Sequence, residues 1–205
     1  MRRIGSRTPT RVAADGSPLW TRKFSGAAML VALHRLLREA GDVDRLGRPD
    51  LTVDERDRLV ASGAVLTPDG GLVVGGATAV VDAGNDTWLR KYASTGDVLW
   101  TRTYDGAAAS NDATQAVAVT EDGYLYAAGY EAAPGESNNM WTARYDADGN
   151  LLWSRLYNGA DSKADYLYGA VTMDDGGVVV CGYETAESVP WRSFVRRYDA
   201  DGLTL

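Results

Sequence analysis

"RYDADGNLLWSRLYNG" (Arg144–Gly159) and "KYASTGDVLWTRTYDG" (Lys91–Gly106) are two settings of one pattern within a chain of 205 residues. Aligned, they place Trp88 over Trp141, Tyr92 over Tyr145, Gly96 over Gly149, Trp100 over Trp153 and Tyr104 over Tyr157, always 53 residues apart. The same step leads on to Phe194, Tyr198 and Gly202. It also links the pairs Asp69-Gly70, Asp122-Gly123 and Asp175-Gly176, and the triplet Gly76, Gly129 and Gly182. A period that holds without slippage makes the repeat the first fact about the fold.

The middle copy shows what one unit is. "QAVAVT", "YLYAAGY", "MWTARY" and "LLWSRLY" are short, rich in β-branched and aromatic residues, and bounded by turn chemistry, which is the pattern of antiparallel strands. Asp-Gly between them supplies the positive φ that hairpin loops require. Lettered a to d, the four strands form a unit of the size and aromatic rhythm of a β-propeller blade. A β-solenoid would use a shorter period, and isolated sheets would leave both faces wet. Stacked sheets bury Trp100 and Trp153, at ~150–250 Å² for each indole.

These motifs carry a resemblance. "TPDGGLVVGG" (67–76) followed by "WLRKYASTGDVLWTRTYDG" (88–106) resembles the tandem repeats of secreted bacterial and archaeal proteins, in which a DGG turn, a Trp-x-x-Lys-Tyr strand and a Gly-x-x-x-Trp strand recur. Thr95 to Trp100 is more distantly similar to the tryptophan-docking motif of quinoprotein propellers related to pyrroloquinoline quinone dehydrogenases. The resemblance implies an extracytoplasmic binding or scaffolding module without catalysis. The alternative it leaves open is a quinoprotein-type propeller enzyme.

The expected fold is therefore all-β: a partial β-propeller of about three four-stranded blades with a helical insertion. Residues 1–26 read as strands c and d of an incomplete first blade, 27–62 as the insertion, and 63–106 and 116–159 as blades. Residues 169–205 read as a blade whose last strand is truncated. The insertion follows from a break in register. Trp20 and Trp100 stand 80 apart, 27 beyond the period. Within it Met29, Leu33, Leu36, Leu37 and Ala40 share a helical face, and Thr52 with Glu55 forms a capping box. A ring of about three blades falls below the usual ~4–8, so a longer propeller, or self-association through open terminal blades, is expected.

The charge balance narrows the partners. A net charge of −7 and an isoelectric point near 4.7 disfavour nucleic acid, whose affinity comes from Lys and Arg. No apolar run approaches the ~20 residues of a membrane span. The basic start "MRRIGSRTPTR" lacks the apolar stretch of a signal peptide, so an extracytoplasmic location rests on the resemblance alone. With one histidine (His34) and one cysteine (Cys181, read as a small buried residue), a zinc site of the usual type is excluded. No cofactor, metal or catalytic set is expected. Asp146, Asp148 and Asn150 are weighed as a calcium loop, but the glycine comes too early, which favours a plain hairpin. Asp112 and Asp165 recur just before strand a, and are read as caps for backbone N–H groups between blades.

Turns a–b and c–d lie at one end of such a sheet. Connections b–c and d–a lie at the other, and there the chain is longest and most divergent. Binding residues concentrate on loops held by a rigid frame, so the candidate ligand-binding residues are Asp86, Asn111, Asn139, Lys163, Trp191 and Arg192. Asp86, Asn139 and Arg192 occupy one register position with three chemistries. Trp191 offers a stacking face and Arg192 a forked donor for a carboxylate or sugar hydroxyl of a protein or glycan ligand.

Overall fold

The computed structural model describes residues 10–12, 18–21, 59–81, 84–108, 110–159, 161–187 and 191–205. The chain divides into two units, Met1–Gly47 and Arg48–Leu205. In the first, β1 (Thr10–Val12) and β2 (Pro18–Thr21) pair as an antiparallel hairpin. The helical face with His34 and the Thr52–Glu55 box lie outside the described residues.

The second unit is all strand among the described residues. β3 (Leu59–Leu66), β4 (Leu72–Val80), β5 (Gly84–Tyr92) and β6 (Val98–Tyr104) form the first repeat sheet. β7 (Ala113–Val119), β8 (Leu125–Ala132), β9 (Asn138–Tyr145) and β10 (Leu151–Tyr157) form the second. β11 (Tyr166–Thr172), β12 (Val178–Glu184) and β13 (Arg192–Tyr198) form the third. All pairings are antiparallel meanders. Beyond β13 the chain returns far enough for Leu205 N–H to donate to the Arg197 carbonyl at 3.1 Å.

Two boundaries differ from the sequence reading. Leu59–Ser62, assigned there to the insertion, open β3, because Leu59, Val60 and Ala61 pair in register with Thr78, Ala77 and Gly76 of β4. Each first strand likewise starts three or four residues before the expected blade. The extra length contains a bulge. Ser62, Gln115 and Tyr168 are each left without an opposite residue, at the 53-residue step. The bulge forces glycine across the strand pair: a Cβ on Gly129 or Gly182 would lie 1.9 Å from the Ala113 or Tyr166 carbonyl oxygen. A second bulge recurs at Leu19, Leu99 and Leu152 in the last strand of each unit.

The turns are as the Asp-Gly signals predict. Residues 67–71, 120–124 and 173–177, and again 93–97, 146–150 and 199–203, close five-residue loops with a glycine at φ between 77° and 88°. Asp146 is occupied by its own loop, accepting from the N–H groups of Asp148 and Asn150 and from the Asn150 side chain. The hairpin turn that the sequence suggests is present there. Hydrogen bonds from Thr67 and Lys91 hold the Asp69 carboxyl well below its ordinary range, and the Asn150 side chain does the same for Asp146. Such carboxylates contribute stability that is fully present above the unfolded pKa and lost as pH falls through the folded one. The stability gap between wild type and Asp69→Asn should therefore narrow as denaturant titrations move from neutral to strongly acid pH. A gap that widens would contradict it.

Sheets pack face to face through period-related residues. Val73 and Leu89 of the first sheet meet Leu125, Ala127, Trp141, Ala143 and Tyr145 of the second, and Tyr104 stacks on Trp141 at 5.5 Å. Ala118, Tyr126, Ala128 and Met140 then meet Leu167, Val178, Val180 and Tyr198 of the third, with Tyr157 against Phe194 at 4.8 Å. The most deeply buried indole is Trp141, whereas Trp100 and Trp153 are half-buried. The latter two act as clasps. Trp100 and Arg102 donate to the Ala147 and Gly149 carbonyls at 3.1 and 2.7 Å, and Trp153 and Arg155 to those of Ala200 and Gly202 at 2.8 and 2.9 Å. Each indole lies on the turn glycine, where a Cβ at Gly149 or Gly202 would stand 2.8 Å from the ring.

Cys181 departs from its expected burial. It is an exposed free thiol on the face of β12 that carries Val179 and Tyr183. Its counterpart Ala128 is fully buried under the third sheet. Burial at this position comes from a neighbouring sheet, and among the described residues of the second unit none covers the third.

Candidate functional site

Two kinds of polar residue gather where b–c and d–a connections meet. The first kind repeats. Asp112 accepts from the N–H groups of Gly106 and Ala132 at 2.6 and 2.7 Å, and Asp165 from those of Gly159 and Thr185 at 2.6 and 3.0 Å. Beside them Tyr104 donates to Glu131 and Tyr157 to Glu184, both at 3.0 Å. Burial, opposed by the two backbone bonds, raises the carboxyl pKa of Asp112 and Asp165. Burial and then the Glu131 carboxylate push the Tyr104 phenol up to about 12. Because each set ties the end of one sheet to the second strand of the next, recurrence marks it as frame. Asp112 and Asp165 thus serve as the backbone caps the sequence suggests.

Glu131 and Glu184 escape the sequence reading. A glutamate in "GYEAA" or "GYETA" reads as a solvated loop edge, yet Glu131 is buried. The available signal was its recurrence in step with Tyr104 and Asp112.

The second kind does not repeat, and it includes the six predicted ligand-binding residues. Asn111 accepts from the Asn85 side chain at 3.0 Å and bridges to the start of β5, one residue from Asp86. Asp86 pairs with Thr78, and burial followed by the Asp105 charge raises its pKa. Asn139 is buried in β9 and donates weakly to Glu136 at 3.4 Å. These three stand at the ends of the first two sheets. Lys163, Trp191 and Arg192 gather at the third. Lys163 approaches Glu187 at 3.8 Å, Arg192 approaches Glu184 at 3.4 Å, and the Trp191 ring meets Tyr183 edge-on at 6.5 Å.

The b–c connections are shorter than expected. Val80 to Gly84 is spanned by three residues, and 133–137 closes a tight turn with Gly135 at φ 76°. Alternating strand character extends into what reads as loop, so Asp86, Asn139 and Arg192 are strand residues. Only 185–191 is a longer connection.

Around Trp191 the structure assembles an aromatic cluster. Tyr166 contacts Tyr130 at 5.0 Å, Tyr183 at 5.5 Å and Tyr168 at 6.1 Å, and Tyr168 stacks on Tyr183 at 5.8 Å. Asn138 donates to the Tyr166 hydroxyl at 3.0 Å. Tyr168 and Trp191 remain 51% and 72% exposed. Sequence reasoning missed the tyrosines because "YLY" (166–168) is ordinary strand text. Tyr130 and Tyr183 recur, but the others do not: Tyr166 and Tyr168 stand where the second repeat has Ala113 and Gln115, and Trp191 where it has Asn138. Among the described residues no group of three or more His, Cys, Asp or Glu is placed to hold a metal ion.

No protein-family model matches the chain, and no curated relative is found. Among solved structures it is similar to Morganella morganii TcdA4, determined by cryo-EM, at 10% identity with a TM-score of 0.42. The likeness covers 86% of this chain and spans 9% of that one.

Proposed function

We propose that the three repeat sheets are blades of a β-propeller with β3, β7 and β11 innermost, and that the protein is a non-catalytic binding or scaffolding module. The observation that carries this reading is the division between recurrent and singular residues. Buried acids, clasping indoles and bulge glycines repeat and maintain the frame. At the free end of the third sheet Lys163, Tyr166, Tyr168, Trp191 and Arg192 do not repeat, although Tyr183 and Glu184 beside them do, as befits a site built on one blade of a rigid array. The net charge of −7 directs the reading toward protein or glycan ligands instead of nucleic acid. An extracytoplasmic setting accords with the repeats that the sequence resembles. Probing glycan and peptide arrays with wild type and with a Trp191→Ala, Arg192→Ala double variant tests the assignment. Ligand capture lost in the double variant supports it. Capture that survives, but disappears when the opposite rim around Asp122 and Asp148 is altered, places the site on the wrong end.

Self-association belongs to the same proposal. Val171 and Val195 of the third sheet are 58% and 70% exposed, whereas their counterparts Ala118 and Thr142 are 7% and 1% exposed beneath a neighbour. A second copy of the chain is the occupant that the part of this face around Val171, Cys181 and Val195 would take, leaving the Tyr183 end of β12 open. Sedimentation should show association that rises with concentration, alkylation of Cys181 should slow in parallel, and Val195→Asp should shift the protein toward monomer. A wild type that stays monomeric at high concentration would overturn this part.

A further inference from the structure

Resting on the proposed binding role, we infer that the aromatic cluster of Tyr166, Tyr168, Tyr183 and Trp191 is a platform for a neutral glycan. The rings are already fixed by one another, so a ligand that stacks on Tyr168 or Trp191 orders little new side chain. Tyr168 occupies the bulge of β11, where the ladder is locally interrupted and the backbone re-aims a side chain. The frame does not require an aromatic there, since the first two repeats manage with Ser62 and Gln115.

The polar surroundings select the ligand class. Arg192 with Glu184 and Lys163 with Glu187 are two opposite-charge pairs, with the Asp161 carboxylate beside them accepting from Glu187 N–H, so the rim presents donors beside acceptors. A sugar hydroxyl donates and accepts at once, so neighbouring hydroxyls can address a carboxylate and a guanidinium together, and the C–H face of the sugar ring lies on the arene. An anionic ligand would meet a chain of net charge −7. A proline-rich peptide also stacks on aromatics, but its prolines carry no N–H to offer Glu184 or Glu187. Burial, and then the contact with Tyr183, push the Tyr168 phenol up to about 12.

The test titrates the whole chain with uncharged oligomers of glucose, xylose, mannose and N-acetylglucosamine, followed by tryptophan fluorescence and calorimetry. At least one series should bind. Trp191→Ala and Tyr168→Gln should each weaken it about tenfold, the loss of one stacking partner, with melting temperatures unchanged. Tyr168→Gln installs the residue that the second repeat carries at its bulge, so folding is not at issue. Binding that ignores both substitutions overturns the platform. Absence of any neutral-glycan binding, with proline-rich peptides bound by wild type and lost in Trp191→Ala, overturns the ligand class and leaves the binding role standing. If neither glycans nor peptides are retained, both readings fall.

Discussion

Trp141→Ala should destabilise the protein by ~3–5 kcal/mol, the range for emptying a buried large aromatic site. Its indole is 1% exposed, stacks on Tyr104 and sits in the cluster joining the first and second sheets. Collapse around the cavity is restricted, because Ala127 and Ala143 line it from strands already pinned in register. Trp141→Phe should cost far less. The indole N–H finds no hydrogen-bond partner in the protein, so phenylalanine removes an unpaired donor along with one ring. The third repeat already places Phe194 at this position, against Tyr157. Urea unfolding of the two variants decides the matter. Equal losses would show that shape, and not the interface, dominates.

The second large effect is expected at Asp165. Its carboxylate is fully buried and accepts from Gly159 N–H at the end of the second sheet and Thr185 N–H at the end of β12. Asp165→Ala strands both donors, at ~1–3 kcal/mol each. Asp165→Asn keeps one acceptor and should lose about half as much. The pH dependence has a definite sign. Burial raises the folded pKa, so the fold binds the proton more tightly than the unfolded chain. This residue's contribution is therefore fully present below the unfolded pKa and diminishes as pH rises through the folded one. Wild-type stability relative to Asp165→Asn should decline across that window, opposite to the trend at Asp69. Chemical denaturation at a series of pH values reads both.

What was legible in the sequence was whatever depends on local chemistry or on recurrence. The hairpin turns follow from Asp-Gly pairs at fixed offsets, and the sheets from four short strand texts per period. Asp112 and Asp165 betrayed their role by repeating. Properties that depend on a neighbouring sheet were not legible. The Cys181 text in "VVVCGY" equals buried strand text, yet the thiol is exposed, because within the second unit no sheet packs on that face as the third sheet packs on Ala128. Trp100 and Trp153 read as core, but they are clasps whose partners lie 47 residues on, off the period, and so invisible to an alignment at 53. Bulges were missed because a two-residue rhythm conceals one extra residue. Of the candidate site, Trp191 and Arg192 were found through divergence. The tyrosines around them come together only when β11, β12 and the end of β8 meet.

One set of clasps points the same way along the chain, while Asp112, Asp165 and Thr172 reach back to earlier backbone at Gly106, Gly159 and Val119. Lys91, Trp100 and Arg102 grip carbonyls at 147–149, Tyr126 grips Gly176, and Trp153 and Arg155 grip carbonyls at 200–202. In each case the earlier segment contributes the side chain and the later one only backbone. On a ribosome, where the N-terminal part emerges first, these side chains are in place before the carbonyls they grip, and the bonds that Asp112, Asp165 and Thr172 send back close once the later strand arrives.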